Sequence, residues 1–211
     1  MNKNRVEALS DGVFAIVITL LILDIRVPDV DYSQLSASLV ELLPRIFAYM
    51  ISFGVIGVYW LAHHQTLQLI AKLDGFMIWL NLIYLLAVSF MPFPTALLGR
   101  YPLQPIPIVI YGINLIVANA LGITLSLYLR AHPELGSGYV HRAQHKRNYL
   151  FVFVNGSYVL AMLLGFFEPL ISYVIFVAVL AVVIAYYSFA PIVAPAKPGE
   201  LASQEPQIQN L

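Results

Sequence analysis

Apolar runs of membrane-span length recur along this chain from residue 5 to residue 190. That recurrence constrains the fold more than any other feature. The hydrocarbon core of a bilayer is ~30 Å thick and takes about 20 apolar residues of helix to cross. No water reaches that core, so a spanning segment must satisfy its own backbone N–H and C=O groups, as a helix does. Composition agrees: 60% of the 211 residues are hydrophobic and 10% are charged, against about 25% charged in an ordinary soluble domain. The chain reads as a single all-α, polytopic membrane domain. Its formal net charge is zero, so nothing points to nucleic acid. Having no cysteine, it has no disulfide, thiolate metal site or cysteine nucleophile.

Six spans are expected, over 5–25, 36–65, 75–97, 106–129, 149–167 and 170–190. The third should end at the breaker series Pro92, Pro94 and Gly99. The fourth should start at Pro105 and Pro107. Residues 1–190 form the transmembrane domain; 191–211, Pro-rich and polar, read as a disordered cytoplasmic tail. The first span is read as retained, because Glu7 and Asp11 interrupt its basic start. Asp24, Arg26 and Val27 also stand where small residues would mark signal-peptide cleavage.

Six spans put both termini on one side. That side carries Lys3, Arg5, Lys72, Arg130, Arg142, Lys146, Arg147 and Lys197; the other carries Arg26, Arg45 and Arg100. The positive-inside rule makes the termini cytoplasmic. The basic 131–147 loop is read as a topology-fixing cluster, with contact to anionic headgroups as the other possibility. No internal repeat is visible, which weighs against inverted-repeat transporters.

The first span stands apart. Between Asp11 and Asp24 lie twelve uncharged residues, GVFAIVITLLIL. As a helix they cover roughly 18 Å, well short of the bilayer core. Carboxylates near both ends of a short apolar stretch point to a water-filled path or the protein interior. Ile16, Leu20 and Leu23 share one stripe by their i, i+4, i+7 spacing. Gly12 extends it and Thr19 sits beside it. Around a symmetry axis these residues would stack as rings, and aliphatic rings make a narrow constriction that resists ions by dewetting. The same spacing also describes ordinary helix packing, and Thr19 can bond back to the Ala15 carbonyl. The flanking acids favour the water-lined reading.

Ser10, Asp11, Trp60, His63, His64 and Asn81 all fall toward the cytoplasmic half. A buried carboxylate needs donors, which His, Trp and Asn supply. Arg5 and Asp11 lie six residues apart, about 240° around the helix. An acid partner for Arg5 would therefore sit on another helix or subunit. The cluster could be a proton relay, a haem or metal site, or a structural clasp. His63 and His64 are adjacent and point about 100° apart, so they do not chelate one metal. The remaining histidines, His132, His141 and His145, lie in the basic loop. The clasp is the favoured reading. Hydrolase-elbow, phosphate-loop and zinc-protease motifs are lacking, as is a TVGYG filter. Neither an enzyme nor a conventional potassium pore loop is expected.

The run Arg5-x-x-x-Leu9-Ser10-Asp11, continuing as GVFAIVITLLILDIRVP, resembles the RxxxFSD signature of the bacterial relatives of transmembrane protein 175. That family contains the lysosomal and endosomal potassium channel. Leu9 stands where the family has phenylalanine. The likeness continues at 60–64, around Asn81, and at PFPTALLG over 92–99. The resemblance implies a homotetramer of six-span subunits in the plasma membrane, with four copies of helix one around the axis. It implies potassium conduction without a pore loop and no cofactor beyond the permeant ion. The constriction would fall at Ile16, with Leu20 and Leu23 as further pore-facing aliphatics and Thr19 as the associated hydroxyl. Arg5, Ser10 and Asp11 would join Trp60, Asn81 and His63 or His64 in an inter-helix network. The alternative is a secondary transporter or proton-coupled exchanger using Asp11 and His63/His64; a third reading is a non-conducting scaffold.

Overall fold

The computed structural model describes residues 2–136 and 144–189, with side chains in the second stretch from residue 149 onward. The tail expected over 191–211 and most of the basic 131–147 loop lie outside them. Apart from one isolated backbone bridge between Ile70 and Gly136, the described residues form helices and their connections.

Helix α1, Lys3–Leu20, tightens into a 3₁₀ turn over Leu21–Asp24. The expected second span, 36–65, is two helices: α2 over Tyr32–Glu41 and α3 over Leu43–Gln68. Pro44 is the reason. It has no N–H to give the Val40 carbonyl and its ring would clash with it, at about 3 kcal/mol. In the first turn of a new helix the missing donor costs nothing. Helix α2 buries none of its residues.

The third span also departs from expectation. It runs as α4, Gly75–Ser89, then α5, Pro92–Arg100. The prolines bend the path without ending it. Short-range bonds carry the chain across the break, from Met91 N–H to the Val88 carbonyl and from Phe93 N–H to the Phe90 carbonyl. Three more helices follow: α6 over Pro105–Ala131, α7 over Gln144–Leu164 and α8 over Pro169–Phe189.

Among the described residues, five stretches are long and apolar enough to cross a membrane: Lys3–Asp24, Leu43–Gln68, Gly75–Arg100, Pro105–Ala131 and Pro169–Phe189. The apolar part of α7, Tyr149–Leu164, is shorter. It closes three residues before the expected 167.

Helix α3 is central, packing on α1, α5, α6 and α8. It meets α5 so closely that a Cβ on Gly99 would lie 2.8 Å from the Arg45 Cα. Phe14, Ile56, Val88, Tyr111, Leu115 and Phe176 sit in the main core. A smaller cluster around Ile70, Met77 and Leu129 fixes the α3–α4 turn. Hydroxyls between helices are paired: Ser52 Oγ lies 2.8 Å from Thr95 Oγ1, which gives its own proton to the Met91 carbonyl, and 3.0 Å from the Tyr111 hydroxyl. An unpaired hydroxyl in such surroundings would be costly.

Candidate functional site

Helix α1 has two unlike faces. Val6, Ser10, Phe14 and Val17, continued by Leu21, are buried against α3 and α4. The other face carries Arg5, Leu9, Gly12, Ile16, Thr19, Leu20 and Leu23, all exposed. Ile16 is 59% and Leu23 63% exposed, so the chain leaves large aliphatic side chains on this helix uncovered. The stripe expected from the sequence is thus contiguous and lies on the uncovered face. A Cβ on Gly12 would meet nothing within 4 Å. Thr19 Oγ1 donates to the Ile16 carbonyl at 2.8 Å, one residue later than the expected Ala15. Its proton is spent on its own helix and its lone pairs remain available.

The expected single polar cluster resolves into two arms, one on each side of α1. The inner arm is buried. Ser10 Oγ donates to the Val6 carbonyl at 2.9 Å and accepts from Asn81 Nδ2 at 3.3 Å. Asn81 Oδ1 meets His63 Nε2 at 2.6 Å. The directions follow from chemistry. Ser10 has given its proton to the backbone, so it must accept from Asn81, and the amide oxygen must then accept from His63. His63 therefore carries its proton on Nε2. Its ring stacks on Tyr84 with centroids 4.9 Å apart and planes 3° from parallel, and Phe14 lies 5.7 Å away.

The outer arm is exposed. Trp60 Nε1 donates to Asp11 Oδ1 at 2.8 Å. Trp60 stacks on His64, which pairs with Gln68 at 2.9 Å. Asp11 is exposed in this chain, a correction to the buried carboxylate expected: it lies on the uncovered side of α1, not against the core. His63 and His64 thus divide between the arms, as adjacent helical residues must. Arg5 is exposed, and no ion pair or side-chain hydrogen bond to it occurs among the described residues.

Sequence reasoning missed Tyr84 and Phe14. Both had a signal: Tyr84 follows Asn81 by three residues and Phe14 follows Ser10 by four, which puts each on the same helical face as its polar neighbour. It also missed a junction at the end of the bundle where the α3–α4 and post-α6 connections meet. There Asp74 accepts from the Met77 N–H at 2.8 Å and from the Tyr128 hydroxyl. The Tyr128 hydroxyl, then the Met77 amide, hold the Asp74 carboxyl below its ordinary range. Ala71 and Lys72 N–H both donate to the Leu135 carbonyl, at 2.8 and 3.1 Å. No group of three or more His, Asp or Glu side chains suited to a metal occurs among the described residues.

An all-helical bundle with several membrane-length helices, one of them with an uncovered aliphatic face and polar anchors beneath it, has the build of a membrane channel subunit. Known proteins bear this out. The family model described as endosomal/lysosomal potassium channel TMEM175 matches residues 5–92. A potassium channel of Chryseobacterium sp. (strain P1-3) is 36% identical over 82% of this chain and 87% of that protein. The crystal structure of a lysosomal potassium-selective channel TMEM175 homolog from Chamaesiphon minutus superposes with a TM-score of 0.76 at 31% identity. It covers 89% of this chain and 98% of that one. The chain belongs to the TMEM175 family. The human endosomal/lysosomal proton channel TMEM175 is 28% identical over 84% of this chain, but the match spans only 37% of that protein. The relatives and the fold are those of ion channels, not enzymes.

Proposed function

We propose that this chain is a potassium-permeable cation channel, built from four copies whose α1 helices surround the conduction path. The observation that supports this best is the uncovered stripe of Gly12, Ile16, Leu20 and Leu23 on α1. In water such a face would be left exposed at a cost, and in lipid it would not explain Asp11 at one end and Asp24 at the other. Facing three copies of itself around a narrow water column, it has a use. Ile16 forms the narrowest ring and opposes ions by dewetting. Discrimination between cations is modest, because the path has no dense cage of carbonyls. The two polar arms hold α1 against α3 and α4 while its other face meets the ion, and Arg5 finds its acid on a neighbouring subunit.

In this reading α7 is the fifth of six spans, both termini are cytoplasmic by the loop charges, and the channel sits in the plasma membrane. Potassium is the only ligand needed. The printed names of the relatives, potassium channels in bacteria and a proton channel in human, favour a channel over the exchanger using Asp11 and His63/His64. Proton permeation is the second reading, favoured by the human relative's name.

The absence of native cysteine gives a clean test. Leu23→Cys and Leu20→Cys, reconstituted in liposomes, should lose most potassium flux on treatment with a charged thiol reagent. Val152→Cys, on the exposed side of α7, should keep it. Equal insensitivity of all three variants would remove α1 from the conduction path.

A further inference from the structure

A cavity of about 90 Å³ lies between α3, α4, α6, α7 and α8, with His63 in its wall. Tyr59, His63, Tyr84, Asn119, Gly122 and Val183 are among its walls. The lining is mostly apolar with a few convergent polar groups, the usual character of a small-molecule site. What those polar groups can still do is fixed by what they have already done. The Tyr59 hydroxyl donates to the Leu115 carbonyl and the Tyr84 hydroxyl to the Tyr59 carbonyl, so both donors are spent. His63 uses Nε2 as its donor toward Asn81, which leaves Nδ1 of the neutral ring as an acceptor. Asn119, half-buried midway along α6, has no side-chain hydrogen bond among the described residues. An amide inside a spanning helix is costly unless it meets a hydrogen-bonding group.

We propose that this cavity binds a small uncharged amphiphile of the phenol class, with a ring-sized apolar body and one hydroxyl. The hydroxyl donates to His63 Nδ1 and lies within the reach of the Asn119 amide. The ring packs among Tyr59, Tyr84 and Val183. A charged ligand is disfavoured, because no charged side chain lines the cavity among the described residues and burying an unpaired ion is prohibitive. Occupancy would be felt at α1, since His63 is joined through Asn81 to Ser10.

The test is a ¹⁹F NMR titration of 4-fluorophenol and of fluorobenzene into nanodiscs carrying the full chain, with empty nanodiscs as the partition control. 4-Fluorophenol should bind saturably above the control and fluorobenzene at least tenfold more weakly. Asn119→Leu, close in volume, should weaken 4-fluorophenol about fivefold. Gly122→Ala places a methyl 3.4 Å from Tyr84 Cε2, an ordinary contact; it should fold normally and weaken binding about threefold by filling space. Simple partition into lipid, equal binding of fluorobenzene, or indifference to both variants would overturn the site. The readout needs no ion flow, so its failure would leave the channel reading intact.

Discussion

Trp60 and Asp11 are joined across 49 residues by one hydrogen bond of 2.8 Å, from the indole Nε1 to the carboxylate Oδ1. It ties α3 to α1 on the uncovered side, one residue along from the buried tie at Ser10. Helix α1 is thus tied to its neighbours at two successive residues, Ser10 on the buried side and Asp11 on the uncovered side. Trp60→Phe keeps the aromatic bulk and removes the donor. It should cost about 1 kcal/mol, toward the low end for a bond to a charged group because the pair is exposed. The melting temperature of purified protein in detergent should fall by a few degrees, and a wild-type value would show that the bond carries no stability.

Asn81 is the more costly position. Asn81→Leu leaves the His63 Nε2–H without its acceptor and Ser10 without its donor, both in a buried setting. A penalty of about 1–3 kcal/mol is expected. Amide exchange in the first two turns of α1 should rise more than elsewhere, and uniform protection along α1 would contradict an anchoring role.

Gly99→Ala tests the α3–α5 crossing. The new Cβ would stand 2.8 Å from the Arg45 Cα, and backbone cannot step aside as a flexible side chain can. The helices must separate, at about 1–3 kcal/mol. The Ser52–Thr95 bond at 2.8 Å stretches with them. Gly12→Ala, with nothing within 4 Å of the new Cβ, meets no clash and should raise thermal stability by up to about 1 kcal/mol of helix propensity, so the pair of variants separates contact from helix propensity.

Asp74 predicts a pH response. Its folded carboxyl is held below the ordinary value by the Tyr128 hydroxyl and the Met77 amide. The stabilisation is therefore complete above the unfolded pKa, about 3.9, and is lost as pH falls through the folded value. Met77 amide exchange should be insensitive to opening of this cap between pH 8 and 5 and should accelerate beyond the intrinsic rate only below about pH 4. In Tyr128→Phe the stabilisation should be smaller and its loss, starting at the same pH, should be complete at a higher pH; an unchanged profile in that variant would remove Tyr128 as the cause.

The sequence made the membrane class legible because length and hydropathy report it directly. The stripe on α1 was legible too, since helical spacing assigns faces without tertiary information. Span boundaries were less so. Pro44 and Pro92 both interrupt helices, yet whether a proline ends a path or only bends it depends on what packs beyond it. Arg45 and Gly99 meet just past those two prolines. The division of His63 from His64 needed the position of Asn81, which lies on another helix. The Asp74–Tyr128 contact spans 54 residues and joins a helix start to a helix end, so no local pattern announces it.

In the proposed channel, Ile16 forms the narrowest ring of the potassium path. Ion flux from liposomes holding wild type or Ile16→Asn, driven first by a potassium and then by a matched sodium gradient, reports on this ring. Wild type should pass potassium faster than sodium. Ile16→Asn should raise both fluxes severalfold and narrow the difference, because an amide ring wets the neck. Ile16 is 59% exposed in the single chain, so the variant should fold normally. Potassium and sodium fluxes identical to wild type in a correctly assembled Ile16→Asn protein would remove Ile16 from the narrowest part of the path.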